Sequence, residues 1–308
     1  MRFLGHGRLR PSQARVGLAA VLIAAAIWAA WAFNPTSASE LPHSTATKAV
    51  AATRSAAKQT PTPTPTPTQR PTPTPTPTPT IAPGSAIVVG IGDSVTSATV
   101  CGCTGFVESY AAHLPSAAGG PAHAVNLGSN GLTAADLRAL MSGPTATSRS
   151  VAEADILLVT IGANDLAPLL SLWQDSGCAA ACYSPAVDAV GSDVSKIVTA
   201  AQELRGHRPT QILVTDYWNV FADGDVARDS DGPTYLAWSD EITRALNARI
   251  CAAAQDAGAV CVDLYVPFKG DGSMNPTALL AADGDHPNTA GNQLISSALL
   301  AATSPSSG

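Results

Sequence analysis

The chain has 308 residues, 45 % hydrophobic and 13 % charged, so it can bury a substantial core, and disorder is excluded as a description of most of it. The formal charge of −6 is unevenly spread: residues 1–83 carry eight Lys/Arg against the single acid Glu40, while residues 84–308 carry nine against twenty-two Asp/Glu. A globular part that acidic repels phosphate backbones, which sets nucleic acid aside as a partner.

Arg2, Arg8, Arg10 and Arg15 precede an uncharged stretch from Val16 to Phe33. A positive segment followed by an apolar one marks an export signal, and residues 1–40 are read as that segment. The stretch is longer than the usual apolar core of about 7 to 15 residues and reaches the lower limit for spanning a bilayer. An uncleaved anchor through residues 16–33, with the arginines on the cytoplasmic side, therefore competes with a cleaved peptide. Small-x-small sites at Ala30/Ala32 and Ser37/Ser39 leave both open. Either way the rest of the chain is expected outside the cytoplasm, secreted or membrane-anchored.

Residues 41–83 read as a linker, with alternating Pro-Thr from Pro61 to Thr80 broken only by Gln69-Arg70. Proline fixes φ and removes donors, so the tract is expected either as polyproline II, at ~3.1 Å per residue a rod of about 60 Å, or as a featureless disordered linker, two readings that differ only in stiffness. Its threonines are candidates for O-glycosylation.

All six cysteines lie beyond residue 100: Cys101, Cys103, Cys178, Cys182, Cys251 and Cys261. An even number in an exported chain reads as disulfides. Cys251 and Cys261 flank a helix-to-strand hinge and are the readiest pair. For the C-G-C and C-A-A-A-C pairs the spacing leaves open whether each closes on itself or the two cross-link. A metal site on these four is the weaker alternative in an oxidising compartment.

From residue 87 onward, short β-branched runs at 87–91, 122–127, 156–161, 212–215 and 260–264 are continuous instead of alternating, as in strands buried on both faces of a parallel sheet. Helical spacing fills 106–114, 133–141, 187–204, 236–257 and about 290–301, with a capping-box start at Thr133-x-x-Asp136 and glycines Gly206 and Gly258 where helices should end. Five strands with helical crossovers predict a three-layer α/β/α domain over residues 84–304, with its ligand site at the carboxyl ends of the strands.

Those ends carry Gly92-Asp93-Ser94-Val95, Asn126-Leu127-Gly128-Ser129-Asn130-Gly131 and Gly162-Ala163-Asn164-Asp165, and Asp283-Gly284-Asp285-His286-Pro287-Asn288 precedes the last helix. A serine, a histidine, an aspartate, backbone N–H groups at glycines and a side-chain amide are what acyl transfer requires. This ordered set resembles the SGNH (GDSL) hydrolase family of serine esterases and lipases, from first strand to last helix. The departures are a valine after Ser94 and Ser129-Asn130 after the second-block glycine, and neither removes a functional atom.

The resemblance implies a five-stranded, flavodoxin-like α/β/α fold and an ester hydrolase working through an acyl-enzyme. It implies Ser94 as nucleophile, His286 as base and Asp283 as the carboxylate on the other ring nitrogen. The oxyanion hole would be the Ser94 and Gly128 N–H groups with the Asn164 amide. No cofactor and no metal is expected, and the chain is expected to act as a monomer on an acyl ester, a lipid or an acylated glycan. A glycan O-acetyl esterase is one alternative, and a catalytically silent wall-associated binding module is another. Asp283 and His286 are three residues apart on one turn and can meet, whereas Asp285 is expected to point away. Asp93 and Asp165 are expected to brace loops through backbone N–H groups.

Other signals are weaker. Gly90-Ile91-Gly92-Asp93-Ser94-Val95 lacks the third glycine of a dinucleotide fingerprint. Thr96 replaces the second glycine of a G-x-S-x-G elbow. The acidic run Asp223-Gly224-Asp225 and Asp229-Ser230-Asp231-Gly232 lacks an EF-hand's ligand at Ala227 and its closing glutamate, so a solvated loop is the better reading. Leu166, Leu169, Leu170 and Trp173 suit either an acyl pocket or the core. Tyr217, Trp218, Phe221 and Trp238 suit either sugar stacking or packing beneath a lid.

Overall fold

The computed structural model describes residues 86–114, 122–206 and 208–303. The export signal or anchor and the Pro-Thr linker fall outside the described residues.

Five strands, β1 (Ile87–Gly92), β2 (His123–Gly128), β3 (Ile156–Thr160), β4 (Gln211–Thr215) and β5 (Val260–Val262), form one all-parallel sheet in the order β2-β1-β3-β4-β5. β3 and β4 are buried throughout and β1 from its second residue on, as their unbroken apolar runs predict. The sequence reading extended that burial to the other two runs, but β2 and β5 are edge strands. β2 is only half-buried, and Val260 at the start of β5 is exposed.

The helices are α1 (Ser94–Ser97), α2 (Phe106–His113), α3 (Ala134–Met141), α4 (Ala146–Glu153), α5 (Ala163–Ser176), α6 (Ala180–Arg205), α7 (Gly224–Ser230), α8 (Gly232–Asp256), α9 (Tyr265–Lys269) and α10 (Thr289–Ala302). α2 packs on α10, while α6 packs on α3, α4, α5 and α8. Right-handed crossovers place these two groups on opposite faces of the sheet, because the chain moves one way from β1 to β2 and the other way from β2 through β5. The core lies between them, with Val89, Ile91, Leu157, Leu158, Leu213 and Val214 from the strands essentially inaccessible.

The expected helices are present, with shifted ends. α6 begins seven residues early, through Pro185 in its second turn, and α8 begins at Gly232-Pro233. Pro233 stands at a helix start, where N–H groups lack intrahelical partners anyway, whereas Pro185 lies inside α6 and forgoes one backbone bond. α4 starts on a capping box of Thr145 with Ser148, a short-armed version of the Glu/Gln pattern that is easily overlooked. β5 stops two residues early because the Asp263 side chain accepts the Val266 N–H and opens α9.

All six cysteines are bridged: Cys101 to Cys103, Cys178 to Cys182 and Cys251 to Cys261. The two close pairs each close on themselves, which answers the open choice and removes the metal alternative, while Cys251–Cys261 fastens the end of α8 to β5. Among the described residues no helix is long and apolar enough to cross a membrane.

Register places the site. Gly92 lies opposite Gly128 on one side and Thr160 on the other, so the loops leaving β1, β2 and β3 emerge side by side. The strand order reverses direction at β1, where an open parallel sheet leaves a crevice.

Candidate active site

Asp93 terminates β1 and caps α1. One carboxylate oxygen accepts the Val95 N–H at 2.9 Å and the other accepts the Tyr217 hydroxyl at 2.5 Å. The side chain is fully buried, and burial pushes its carboxyl up to about 6 against the pull of those two bonds. It braces the turn that carries Ser94, the role expected of it. Asp165 does the same for α3, accepting the Ala134 N–H at 2.9 Å. Ser94 is the first residue of α1, and its own N–H has no partner among the described residues.

On the far side of the chain, a turn from Ala281 to Pro287 presents the histidine. The Ala281 N–H donates to the His286 carbonyl at 2.7 Å, and Leu280 bridges Pro287. His286 Nε2 lies 2.8 Å from Ser94 Oγ, and Nδ1 lies 2.7 Å from Asp283 Oδ2. Asp283 Oδ1 accepts the N–H groups of Asp285 and His286 at 3.0 and 3.1 Å. Burial works to raise the Asp283 carboxyl, but the Asp285 N–H, the His286 ring and the His286 N–H outweigh it and hold the pKa below its ordinary value. Asp285 does not point clear of the ring as expected: its Oδ2 stands 3.8 Å from Nδ1, and the residue lines the same cavity.

Asn164, at the start of α5, donates one amide N–H to the Leu132 carbonyl at 3.0 Å and borders the cavity beside Ser94. Gly128 is placed differently from its expected role. Its N–H donates to Asn126 Oδ1 at 3.0 Å, and it does not line the cavity. A glycine is required there for another reason: a Cβ would stand 2.2 Å from the Ser97 nitrogen, so β2 and α1 touch backbone to backbone. Asn126 fastens that contact by donating to the Thr96 carbonyl at 2.9 Å. By contrast, Gly131 sits at φ +77° in the same loop, and its N–H has no hydrogen-bond partner among the described residues. Like Gly128 it is not among the cavity's wall residues, but it adjoins Leu132, the residue that holds Asn164.

Ser94, Asn164 and His286 open onto a cavity of about 280 Å³. Its walls include Val95, Ala167, Leu170, Tyr217, Trp218 and Phe221. Of the two groups of apolar candidates, Leu170, Tyr217, Trp218 and Phe221 border this space. Leu166 is buried in the core, and Leu169 and Trp173 pack against the core. Trp238 stacks between Trp173 and Phe221, at 5.0 and 5.1 Å between ring centroids, with its indole N–H donating to the Cys178 carbonyl. The sequence reading missed Asn219 and Tyr235 as wall residues. Asn219 follows the end of β4 by four residues, and the strand-end rule applied there would have found it. The acidic run is solvated at Asp225, Asp229 and Asp231, as expected, but it is the helix α7 instead of a loop, and Asp223 at its head is 4 % exposed. Among the described residues no group of three or more His, Cys, Asp or Glu is placed to hold a metal.

No relative is found among curated proteins. Among solved structures, the fold is similar to that of the lipase Lip_vut3 from a goat rumen metagenome, at 18 % identity and TM-score 0.58, covering 71 % of this chain and 97 % of that one. It is also similar to a GDSL-like lipase from Parabacteroides merdae, at 20 % identity, TM-score 0.54 and coverage of 73 % and 99 %. A third likeness, at 18 % identity, TM-score 0.50 and coverage of 72 % and 95 %, is to a catalytic mutant of Axe2, an acetylxylan esterase from Geobacillus stearothermophilus. The family model for GDSL-like lipase/acylhydrolases matches residues 91–294, a span running from the end of β1 into α10 and so enclosing Ser94, Asn164, Asp283 and His286. The chain belongs to the GDSL-like lipase/acylhydrolase family.

Proposed function

We propose that the protein is an extracytoplasmic serine esterase that cleaves carboxylic esters through Ser94, His286 and Asp283 by way of an acyl-enzyme. The observation that carries this reading is the continuous hydrogen-bonded line from Ser94 Oγ through His286 to Asp283, 2.8 and 2.7 Å in its two links, at the edge of a walled cavity. A serine hydroxyl is a weak nucleophile until a base removes its proton during attack, and the carboxylate holds the base in the tautomer that leaves Nε2 free to do so.

Ser94 Oγ attacks the ester carbonyl carbon while Nε2 takes the hydroxyl proton, and the imidazolium is stabilised by Asp283. The tetrahedral intermediate collapses, Nε2 passes the proton to the departing alkoxide, and an acyl-Ser94 ester remains. Water, deprotonated by the same nitrogen, then releases the acid and restores the serine. Negative charge on the carbonyl oxygen is met by the Ser94 N–H and the Asn164 amide. Because the Gly128 N–H is engaged by Asn126, the free N–H of Gly131 takes the third place in this proposal. Such donors lower the barrier because they are already oriented before charge develops.

Closure of every cysteine in a disulfide supports the extracytoplasmic part, since such bonds persist in oxidising compartments; the basic and apolar N-terminal segment supports it independently. A cavity of about 280 Å³ stands at the low end of the range for small-molecule pockets, about 300 to 1,000 Å³, which favours acetyl to medium-length acyl chains. The test is a chromogenic ester panel from acetyl to palmitoyl, with acetylated xylan added because of the third structural likeness, on the full chain and on Ser94→Ala. Hydrolysis that peaks at short to medium chains and falls at least about 10⁴-fold in the variant is expected. Undiminished activity in Ser94→Ala, or none on any ester, rejects the reading.

A further inference from the structure

A second polar centre lies behind the histidine turn. Lys269, the last residue of α9, is 5 % exposed, and its Nζ stands 2.8 Å from Asp223 Oδ2 and 2.8 Å from Asp240 Oδ1. Asn219, a wall residue of the cavity, donates from Nδ2 to Asp223 Oδ2 at 3.0 Å, and the Gly224 N–H donates to Oδ1 at 2.7 Å. A buried ion pair is a poor source of net stability, since apolar residues of similar volume often do as well. What it does supply is a fixed position, because a carboxylate held by three partners leaves its own backbone little freedom.

That backbone reaches the catalytic turn. The Asp223 N–H donates to the Gly284 carbonyl at 2.7 Å. Gly284 O and the Asp285 N–H belong to one rigid peptide plane, and the Asp285 N–H is the group that donates to Asp283 Oδ1 at 3.0 Å. The approach is close enough to require glycine: Gly284 sits at φ +72°, and a Cβ there would stand 3.0 Å from the Asp223 carbonyl and 2.7 Å from Val226.

We infer that Lys269 and Asp223 are positioning residues of the esterase site: their ion pair fixes the Asp223 N–H, which through the Gly284–Asp285 peptide sets the Asp283 carboxylate against His286. This rests on the triad reading above. It touches no substrate atom, so it acts on turnover and not on binding.

The experiment uses the full chain with 4-nitrophenyl butyrate as substrate and compares Lys269→Met with Val194→Ala, a core truncation in α6 on another layer. Each is characterised by Tm, kcat, KM and the low-field proton resonance of a histidine Nδ1–H bonded to carboxylate. Lys269→Met is expected to lose at least tenfold in kcat with KM within twofold, and to lose or broaden the resonance. Val194→Ala is expected to lower Tm while keeping kcat and the resonance. A folded Lys269→Met with kcat within twofold of the parent and an unchanged resonance overturns the inference, and so does an equal kcat loss in Val194→Ala. If Lys269→Met does not fold, Lys269→Arg, which keeps the charge and displaces it, is judged by the same criteria. Either overturning result leaves the serine mechanism intact, whereas activity in Ser94→Ala would remove both.

Discussion

Replacing Asp283 by asparagine is the perturbation whose consequence follows most directly from the geometry. The side chain keeps its size, and its oxygen can keep the two backbone N–H bonds at Oδ1. The atom facing His286 Nδ1 at 2.7 Å then becomes an amide nitrogen, which donates and cannot accept. The ring must turn its proton to Nε2, the atom that has to take the Ser94 proton. The imidazolium formed during attack also loses its counter-charge. Two unit charges at that separation attract by about 1.5 kcal/mol in water and about 6 kcal/mol at an effective dielectric of 20; the Asp283 side chain is 38 % exposed, so the lower half of that range applies. With the tautomer cost added, kcat should fall by about 10³ to 10⁴, on the order of 4 to 5 kcal/mol of barrier. KM should change little, because no substrate contact is lost. Among the described residues Asp285 Oδ2, 3.8 Å from Nδ1, is the one other carboxylate near enough to compensate, so Asp283→Asn/Asp285→Asn should fall below the single variant. The assay is steady-state hydrolysis of 4-nitrophenyl butyrate. A single variant within tenfold of the parent in kcat would refute the reasoning, since the carboxylate would then not govern the ring.

Asn164→Ala should lose about 10² to 10³ in kcat with KM little changed, and an unchanged kcat on the same ester would remove the amide from the oxyanion site. Burial pushes the Asp216 carboxyl up to about 7, against the Leu264 and Tyr265 N–H bonds and with Asp263 adding to the rise. The folded chain therefore holds that proton to near neutrality while the unfolded chain releases it near 3.8, and stability should decline as pH rises from about 4 to 7. Both N–H bonds fall on Oδ1, so Asp216→Asn keeps them; urea unfolding should show it more stable than the parent at pH 8, by at most about 4 kcal/mol, and level with it at pH 4. A variant equally destabilised at both values would contradict this. Reducing Cys251–Cys261, which closes a short loop, should cost about 3 kcal/mol by loop entropy, read as a lower Tm in reductant; an unchanged Tm with the bond reduced would contradict it.

The sheet was legible because β1, β3 and β4 are apolar on both faces, and the strand ends were legible because Asp93, Asn164 and Gly128 sit where β1, β3 and β2 release the chain. The fate of the Gly128 N–H escaped although its partner is local: Asn126, two residues back, takes it with its side-chain oxygen, as asparagine does in Asx turns. What escaped at Asp223 was set by a partner distant in sequence, because the local pattern does not reveal that Lys269, forty-six residues on, holds one aspartate of the acidic run in a buried ion pair. α4 and the first turns of α6 and α8 escaped because serine stood in for a longer capping residue and prolines discouraged a helix. The half-burial of β2 and β5 depends on strand order, which apolar runs alone do not encode.

The central claim is that Ser94 is the nucleophile, and covalent labelling tests it most directly. The full chain is treated with a fluorophosphonate, which reacts only with an activated serine, and is then digested and read by mass spectrometry. One adduct per chain on the peptide holding Ser94, accumulating in step with the loss of ester hydrolysis, is the predicted result. A chain fully modified at Ser94 that still turns over ester, or an inactivated chain modified only elsewhere, would contradict it.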